Sequence, residues 1–329
     1  MAKTTESKAP ARAIKTPAAG ALTAVRRRRR YSLLTRRDKI LLVLMVGIPL
    51  TLDLVLIWGP TLASVLLSFT NWDGFGPVTE KNIIGLKNYQ FLTGWGLKSG
   101  YAPFWPAFSH NLFWLAWLTF IATPLGMFLA VLLDREMRGT RVYQSVFYLP
   151  VVLSLVVVGL IWELQFAPTD GFINNALGVV KSGHIIDWLG NPRLNLGAAL
   201  VATSWRHIGY IMILYLAGLK SVDPSLREAA RVDGATEIQT LFRVVLPVMA
   251  PINVVIVVIT AIEALRAFDI VFIINGGKNG LELLSVLITS NSLSEASLVG
   301  FGSAIAVILL VISLVPIVAF LSRVMRTQS

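Results

Sequence analysis

Two groups of polar residues inside long apolar runs are the side chains best placed to do chemistry. Thr203, His207 and Tyr210 stand at i, i+4 and i+7, which puts them on one face of a helix. Glu263 and Arg266 stand at i and i+3 on a second run, with Asp269 a further turn on. Polar groups in hydrocarbon are costly and turn toward a cavity or toward one another. Facing a cavity, these two faces offer a ring for stacking and several groups for bonding hydroxyls. Facing each other, Glu263 and Arg266 would form an internal ion pair that holds spans together. Both readings stay open at this level. Asp53 and Glu163, the other acids in or near apolar runs, read as structural.

Other chemistries find no support. There are no cysteines, and His110, His184 and His207 lie too far apart to suggest a metal cluster. No phosphate-binding Gly-x-x-x-x-Gly-Lys-Ser/Thr loop occurs, since Gly276-Gly277-Lys278 is followed by Asn279. No nucleophile–base pair suggests an enzyme.

The elements that must position these residues are membrane helices. Of 329 residues, 55% are hydrophobic and 14% charged, and the mean hydropathy is +0.70. A span needs about 20 mostly apolar residues. Six runs qualify, at about 40–68, 106–133, 142–166, 196–219, 247–274 and 299–321. The expected fold is therefore an all-α membrane protein with six transmembrane helices in a domain covering 39–325.

Residues 1–38 form a basic tail that reads as disordered and ends in the run Arg26–Arg30. Arg29-Arg30-Tyr31-Ser32-Leu33 invites a twin-arginine reading, but the following apolar run is too long for a signal and no small-residue cleavage site follows. A solvated tail touching anionic headgroups fits better.

The net charge of +11 invites a nucleic-acid reading. Its distribution argues for a membrane instead. Residues 1–39, the turn 134–141, the segment 220–246 and the C-terminal tail hold 12, 3, 4 and 2 Lys/Arg; the alternate loops hold 3, 2 and 1. That bias puts both termini and 220–246 in the cytoplasm.

Segment 220–246 is a polar island. Asp223-Pro224 starts a helix, since Asp caps free N–H groups and Pro suits the first position. Asp233-Gly234 breaks it, and Thr236-Glu237-Ile238-Gln239 is a capping box that starts another. Leu226, Ala229, Ala230 and Val232 give the first helix an apolar surface; Ile238, Leu241, Phe242 and Val245 give the second a stripe. An interfacial helix resting on lipid and a docking element both fit this pattern. The acids Asp223, Glu228, Asp233 and Glu237 balance Lys220, Arg227, Arg231 and Arg243, which removes net attraction to anionic lipid and favours docking.

The island resembles the coupling-loop signature of binding-protein-dependent ABC importer permeases. Glu228, Ala229, Ala230, Gly234, Val244, Leu246 and Pro247 stand at its positions, with Val244 in place of the usual Ile; Asp233, Ala235, Phe242 and Pro251 fit the sugar-transport branch. Gly85-Leu-Lys-Asn-Tyr89, Gly171-Phe-Ile-Asn174, Ala217-Gly-Leu219 and Phe268–Gly277 are similar to carbohydrate-uptake permeases of the MalF/UgpA-like type. The resemblance covers about 40–325. Lys278-Asn279 departs from it, since the family often continues Gly-Pro there.

What the resemblance implies is specific. The fold would be the type I ABC importer permease fold with a cytoplasmic coupling helix, in the bacterial cytoplasmic (inner) membrane. This subunit would bind no cofactor and hydrolyse no ATP. Two separate ATPase subunits would bind ATP and Mg, and each would grip one permease's coupling helix. Glu228 would be the charged anchor, Gly234 the turn and Ala229-Ala230 the close-packing face. A second related permease and an extracellular solute-binding protein would complete the transporter, with membrane lipid around it. The cargo would be a di- or oligosaccharide, with glycerol phosphate or a polyol as alternatives within the family. The zones of spans four and five line the maltose pocket of the family's maltose permease; Tyr210 matches an aromatic there, whereas His207, Glu263 and Arg266 do not match its residue types. An ion-coupled secondary transporter using Asp53, Glu163 and Glu263 is the competing class, but it leaves the island unexplained.

Overall fold

The computed structural model describes residues 35–96, 99–135, 138–293 and 297–328. The expected tail, with Arg26–Arg30, lies almost wholly outside the described residues. Among those residues the chain is mostly helical, with longer non-helical stretches at 68–79 and 177–194 and one isolated bridge, Thr70 to Ile83.

By contacts the chain divides at Gly59–Pro60. The first unit holds most of helix α1, Arg36–Leu67. Thr35 opens it with a capping box: its hydroxyl accepts from the Asp38 backbone N–H, and the Asp38 carboxylate accepts from the Thr35 N–H. A π-helical turn at Leu54–Trp58 follows Pro49 within α1. None of the side chains between Arg36 and Asp53 is buried.

The second unit, Pro60–Ser329, carries the functional elements. Helix α2 spans Lys87–Thr93, α3 Phe104–Asp134, α4 Thr140–Val152 and α5 Leu155–Gln165. The run expected as a third span, 142–166, is thus two helices that bend by 101°. The cause is local: Leu153 is extended, and the Ser154 hydroxyl accepts from the Val157 N–H to start α5 afresh. After α6, Phe172–Ala176, the long α7 runs Asn195–Ser221.

The island forms α8, Pro224–Val232, and the start of α9, Glu237–Val248. Helix α10 covers Ala250–Leu265 and meets α9 at 82°. The next run does not stay helical. It breaks at 266–268 and restarts as α11, Asp269–Asn275. Helix α12, Leu284–Ser292, occupies a segment expected to be external loop, and α13 covers Val299–Gln328. Nine residues are too short to span a bilayer, yet Leu284, Val286 and Leu287 of α12 are buried.

By length and composition, α1 and α3 can each cross a membrane, and the pairs α4–α5 and α9 with Ala250–Asn275 can if each bent pair is one span.

Two apolar layers form around α3 and α7. One joins Trp114, Leu118 and Ala122 of α3 with Ala199, Leu200 and Ala202 of α7, Ala264 of α10 and Val271 of α11. The other joins Ala130 and Leu133 of α3 with Ile211, Met212 and Leu219 of α7, Val245 of α9 and Ile256 of α10. α3 and α7 approach closely because Gly126 has no side chain: a Cβ there would stand 2.9 Å from Ile211 Cβ.

Candidate functional site: a polar cavity and an exposed polar island

Between the two apolar layers lies a polar cluster. Glu263 of α10 does not pair with Arg266. Its Oε1 accepts from Arg206 Nη1 at 3.2 Å, and its Oε2 accepts from His207 Nδ1 at 2.7 Å, both from α7. The i, i+3 spacing favoured Arg266, but α10 ends at Leu265, and Arg266 turns out as an exposed cap residue. His207 is 1% exposed. Its Nδ1 must carry the proton that the carboxylate accepts, which leaves Nε2 facing the hydroxyls of Thr123 and Thr260 at 3.3 and 3.4 Å. Thr123, His207, Thr260 and Glu263 thus tie α3, α7 and α10 together.

The open side of Glu263 faces a cavity of about 260 Å³ lined by Thr203, Arg206, Glu263, Arg266, Phe268 and Asp269, with Trp114 and apolar residues. Ile262, Arg266, Phe268 and Asp269 also line a second cavity of about 550 Å³ against α12 and α13. The break at 266–268 therefore separates two cavities, which is where non-helical backbone is tolerated at membrane depth. Helix α12 fixes it. Ser285 Oγ donates to the Ala267 carbonyl at 2.5 Å. α12 in turn is capped from α3, where Asn111 Oδ1 accepts from the Leu284 N–H at 2.8 Å. Phe268 stacks on Phe272, with ring centroids 5.0 Å apart.

Four of the six residues selected by spacing, Thr203, Glu263, Arg266 and Asp269, line the first cavity. His207 stands behind Glu263. Tyr210 is elsewhere: it packs against the second apolar layer. Seven residues at 1.5 Å rise put it about 10 Å along α7 from Thr203, so one helix face samples two depths. Spacing missed Arg206, Trp114 and Phe268. Arg206 sits on an adjacent face to His207, and the two aromatics read as ordinary apolar positions. Trp114 Nε1 and Arg206 Nε are buried without an acceptor among the described residues.

The island presents a different surface. The Asp223 carboxylate accepts from the Ser225 N–H and starts α8, which holds its pKa below the usual carboxylate value. Gly234 turns the chain at φ +77°, and Thr236 with Gln239 forms the capping box that starts α9. Glu228, Ala229, Asp233, Gly234, Phe242 and Pro247 are exposed, Ala235 and Leu246 are half-buried, and Ala230 is buried. Both apolar stripes split. Ala230 and Val245 face inward, while Val232, Ile238 and Phe242 are 88%, 71% and 55% exposed. Together with exposed Glu228, these outward side chains make an apolar and acidic patch left uncovered among the described residues.

Residues 122–327 match the family described as binding-protein-dependent transport system inner membrane component. The chain is 34% identical over 273 residues to the xylose/arabinose import permease protein XacH of Haloferax volcanii, covering 82% of this chain and 83% of that one. It is 28% identical to the trehalose/maltose transport system permease protein MalF of Thermococcus litoralis, covering 86% and 93%. A crystal structure of a bacterial ABC transporter that imports the acidic polysaccharide alginate shares the fold, with TM-score 0.74 at 21% identity, over 89% of this chain and 97% of that one.

Proposed function

The chain belongs to the binding-protein-dependent transport system inner-membrane components, and on that premise we propose that it carries a di- or oligosaccharide across the membrane as one permease of an ATP-driven importer. The polar cavity at the broken helix supports this reading most directly. It combines Phe268 and Trp114 with carboxylate, guanidinium and hydroxyl groups, the set that stacks on sugar rings and bonds hydroxyls. Its formal charges balance: Arg206 and Arg266 against Glu263 and Asp269. Glu263 is engaged by Arg206 and His207, and Asp269 lines the same cavities as Arg266. An uncharged saccharide suits that balanced lining; glycerol phosphate would bring an anion to a cavity with no net positive charge to meet it. His207 acts by orienting Glu263, and Asp269 and Arg266 act at the break.

The remaining parts follow the same reading. With six transmembrane helices both termini lie on one side, and the Lys/Arg bias supports the cytoplasm for them and for the island. The patch of Glu228, Ala229, Val232, Gly234, Ile238 and Phe242 docks an ATPase subunit, with Asp233, Ala235, Leu246 and Pro247 shaping the turn and the return to the membrane. Two ATPase subunits hold the ATP and Mg, and this chain hydrolyses none. A second permease supplies the other half of the path, and an extracellular solute-binding protein delivers the cargo. Nucleotide-driven closure of the ATPases shifts the population between outward and inward states through differential contacts at this patch.

Sugar uptake by single variants in the assembled transporter tests the cavity. Phe268→Ala should lower uptake at least tenfold with the complex intact, about the effect of losing one well-packed aromatic contact. Tyr210→Ala, a change in the apolar layer below, should alter uptake less than Phe268→Ala. The reverse order would move the sugar path away from the break.

A further inference from the structure

The island, α8 with the start of α9, continues in chain from α7 and into α10. It reaches α3 through space. Two ion pairs make that reach, both at the cytoplasmic end of α3. Arg227 of α8 donates from Nη1 to Asp134 Oδ2 at 2.7 Å and from Nη2 to the Leu219 carbonyl of α7 at 2.9 Å. Arg135 donates from Nη2 to Glu237 Oε2 of α9 at 2.5 Å. One guanidinium therefore joins three elements: α8, the end of α3 and the end of α7. The second pair joins α3 to the element after the Gly234 turn.

The two contacts differ in weight. Arg135 and Glu237 are 60% and 67% exposed, so their pair is screened and contributes little. Arg227 and Asp134 are 31% and 16% exposed. They line a cavity of about 190 Å³ between α3, α7, α8 and α9, together with Leu219, Glu237 and Val245. Beneath them Leu133, Leu219, Val222 and Val245 pack in an apolar layer. Apolar contact is non-directional and tolerates sliding. A guanidinium held at both Nη atoms fixes direction and register.

We propose that Arg227 is a positioning residue of the transport stroke: with Asp134 it straps the coupling helix to α3, so that displacement of α8 moves the helix that carries Trp114 and Thr123. This rests on the permease reading above. Without the strap, α8 still docks and ATP is still hydrolysed, but α3 lags and the cavity does not change its access.

The test uses the complete transporter in vesicles, with its ATPase subunits and binding protein, and reads sugar imported per ATP hydrolysed. Asp134→Asn and Arg227→Lys should each cut that ratio at least fivefold while the complex co-purifies intact. Arg135→Ala should leave it near wild type. Since the chain has no cysteine, the pair Asp134→Cys with Arg227→Cys gives an independent arm. Its ratio should be low when reduced and should recover when a short bifunctional thiol reagent bridges the two positions. An unchanged ratio in Asp134→Asn and Arg227→Lys overturns the strap, as does a bridged pair no better coupled than the reduced one. If the single variants do not assemble, the bridged pair decides. Absence of ATP-driven uptake in the wild type would instead remove the permease reading itself.

Discussion

Gly234→Val should abolish sugar uptake and release the ATPase subunits while leaving membrane insertion intact. Gly234 sits at φ +77°, and a Cβ built there meets nothing within 4 Å. Among the described residues no clash of the added Cβ would therefore explain a loss. A β-branched residue in the left-handed region costs about 1–2 kcal/mol, enough to shift the turn without unfolding the protein. The added bulk also stands on the exposed patch between Val232 and Ile238. Gly234→Asn separates the two effects, because Asn tolerates the left-handed conformation. If Asn fails as Val does, bulk at the docking surface is the cause. Glu228→Lys should act on the same surface by reversing an exposed charge. Truncating or reversing a buried interfacial charge costs about 2–5 kcal/mol, or roughly 30-fold and more in affinity. Co-purification of the ATPase with each variant, together with uptake, checks both. Normal uptake in Gly234→Val and Glu228→Lys together would sink the docking assignment.

The second large effect lies in the cavity. Glu263→Ala leaves the Arg206 guanidinium without its carboxylate and His207 without its acceptor. Removing one partner of a buried ion pair costs about 3–5 kcal/mol. Arg206 and Glu263 are 23% and 29% exposed toward the cavity, so solvent screening brings the expected loss to roughly 2–3 kcal/mol. Uptake should fall below detection and thermal unfolding should shift downward. Glu263→Gln keeps the shape and still accepts from His207 but turns its NH2 toward Arg206, so it should lose less stability than Glu263→Ala yet import sugar at least tenfold more slowly. Arg206→Ala combined with Glu263→Ala should recover part of the stability but none of the transport. A Glu263→Gln variant with full uptake would show that the carboxylate only holds the helices together.

The outcome for Glu263 shows where reading the sequence stops. Its type and depth marked it as functional, since an acid in an apolar run must face a cavity or a partner. The choice of partner depended on how α7 crosses α10, and no spacing within one helix encodes that. Arg266 was the neighbour along the chain, whereas Arg206 was the neighbour in space. The break at 266–268 had the same character. It is held by Ser285 of α12, a helix whose apolar run was too short to read as anything but loop. The bend at Leu153–Ser154 left more trace, with Pro150 just before it and a helix-capping serine after it.

The island was legible almost residue by residue because its signals are local. Asp223-Pro224, Asp233-Gly234 and Thr236 to Gln239 cap and break helices through contacts two to four residues away. What stayed hidden was which side of each short helix faces out. That depends on the burial of Ala230 and on the packing of Val245 with Leu133 of α3 and Leu219 of α7. Arg227 was counted only as a charge to be balanced; its bond to Asp134, 93 positions away, belongs to tertiary structure.

Energy source is the most direct discriminator. Uptake of a labelled sugar should be followed in vesicles holding this chain with its second permease, ATPases and binding protein. Uptake should stop when ATP is withheld and continue when ionophores collapse the ion gradients. Uptake that persists without ATP and disappears with the ion gradient would contradict the permease reading and make the chain an ion-coupled carrier.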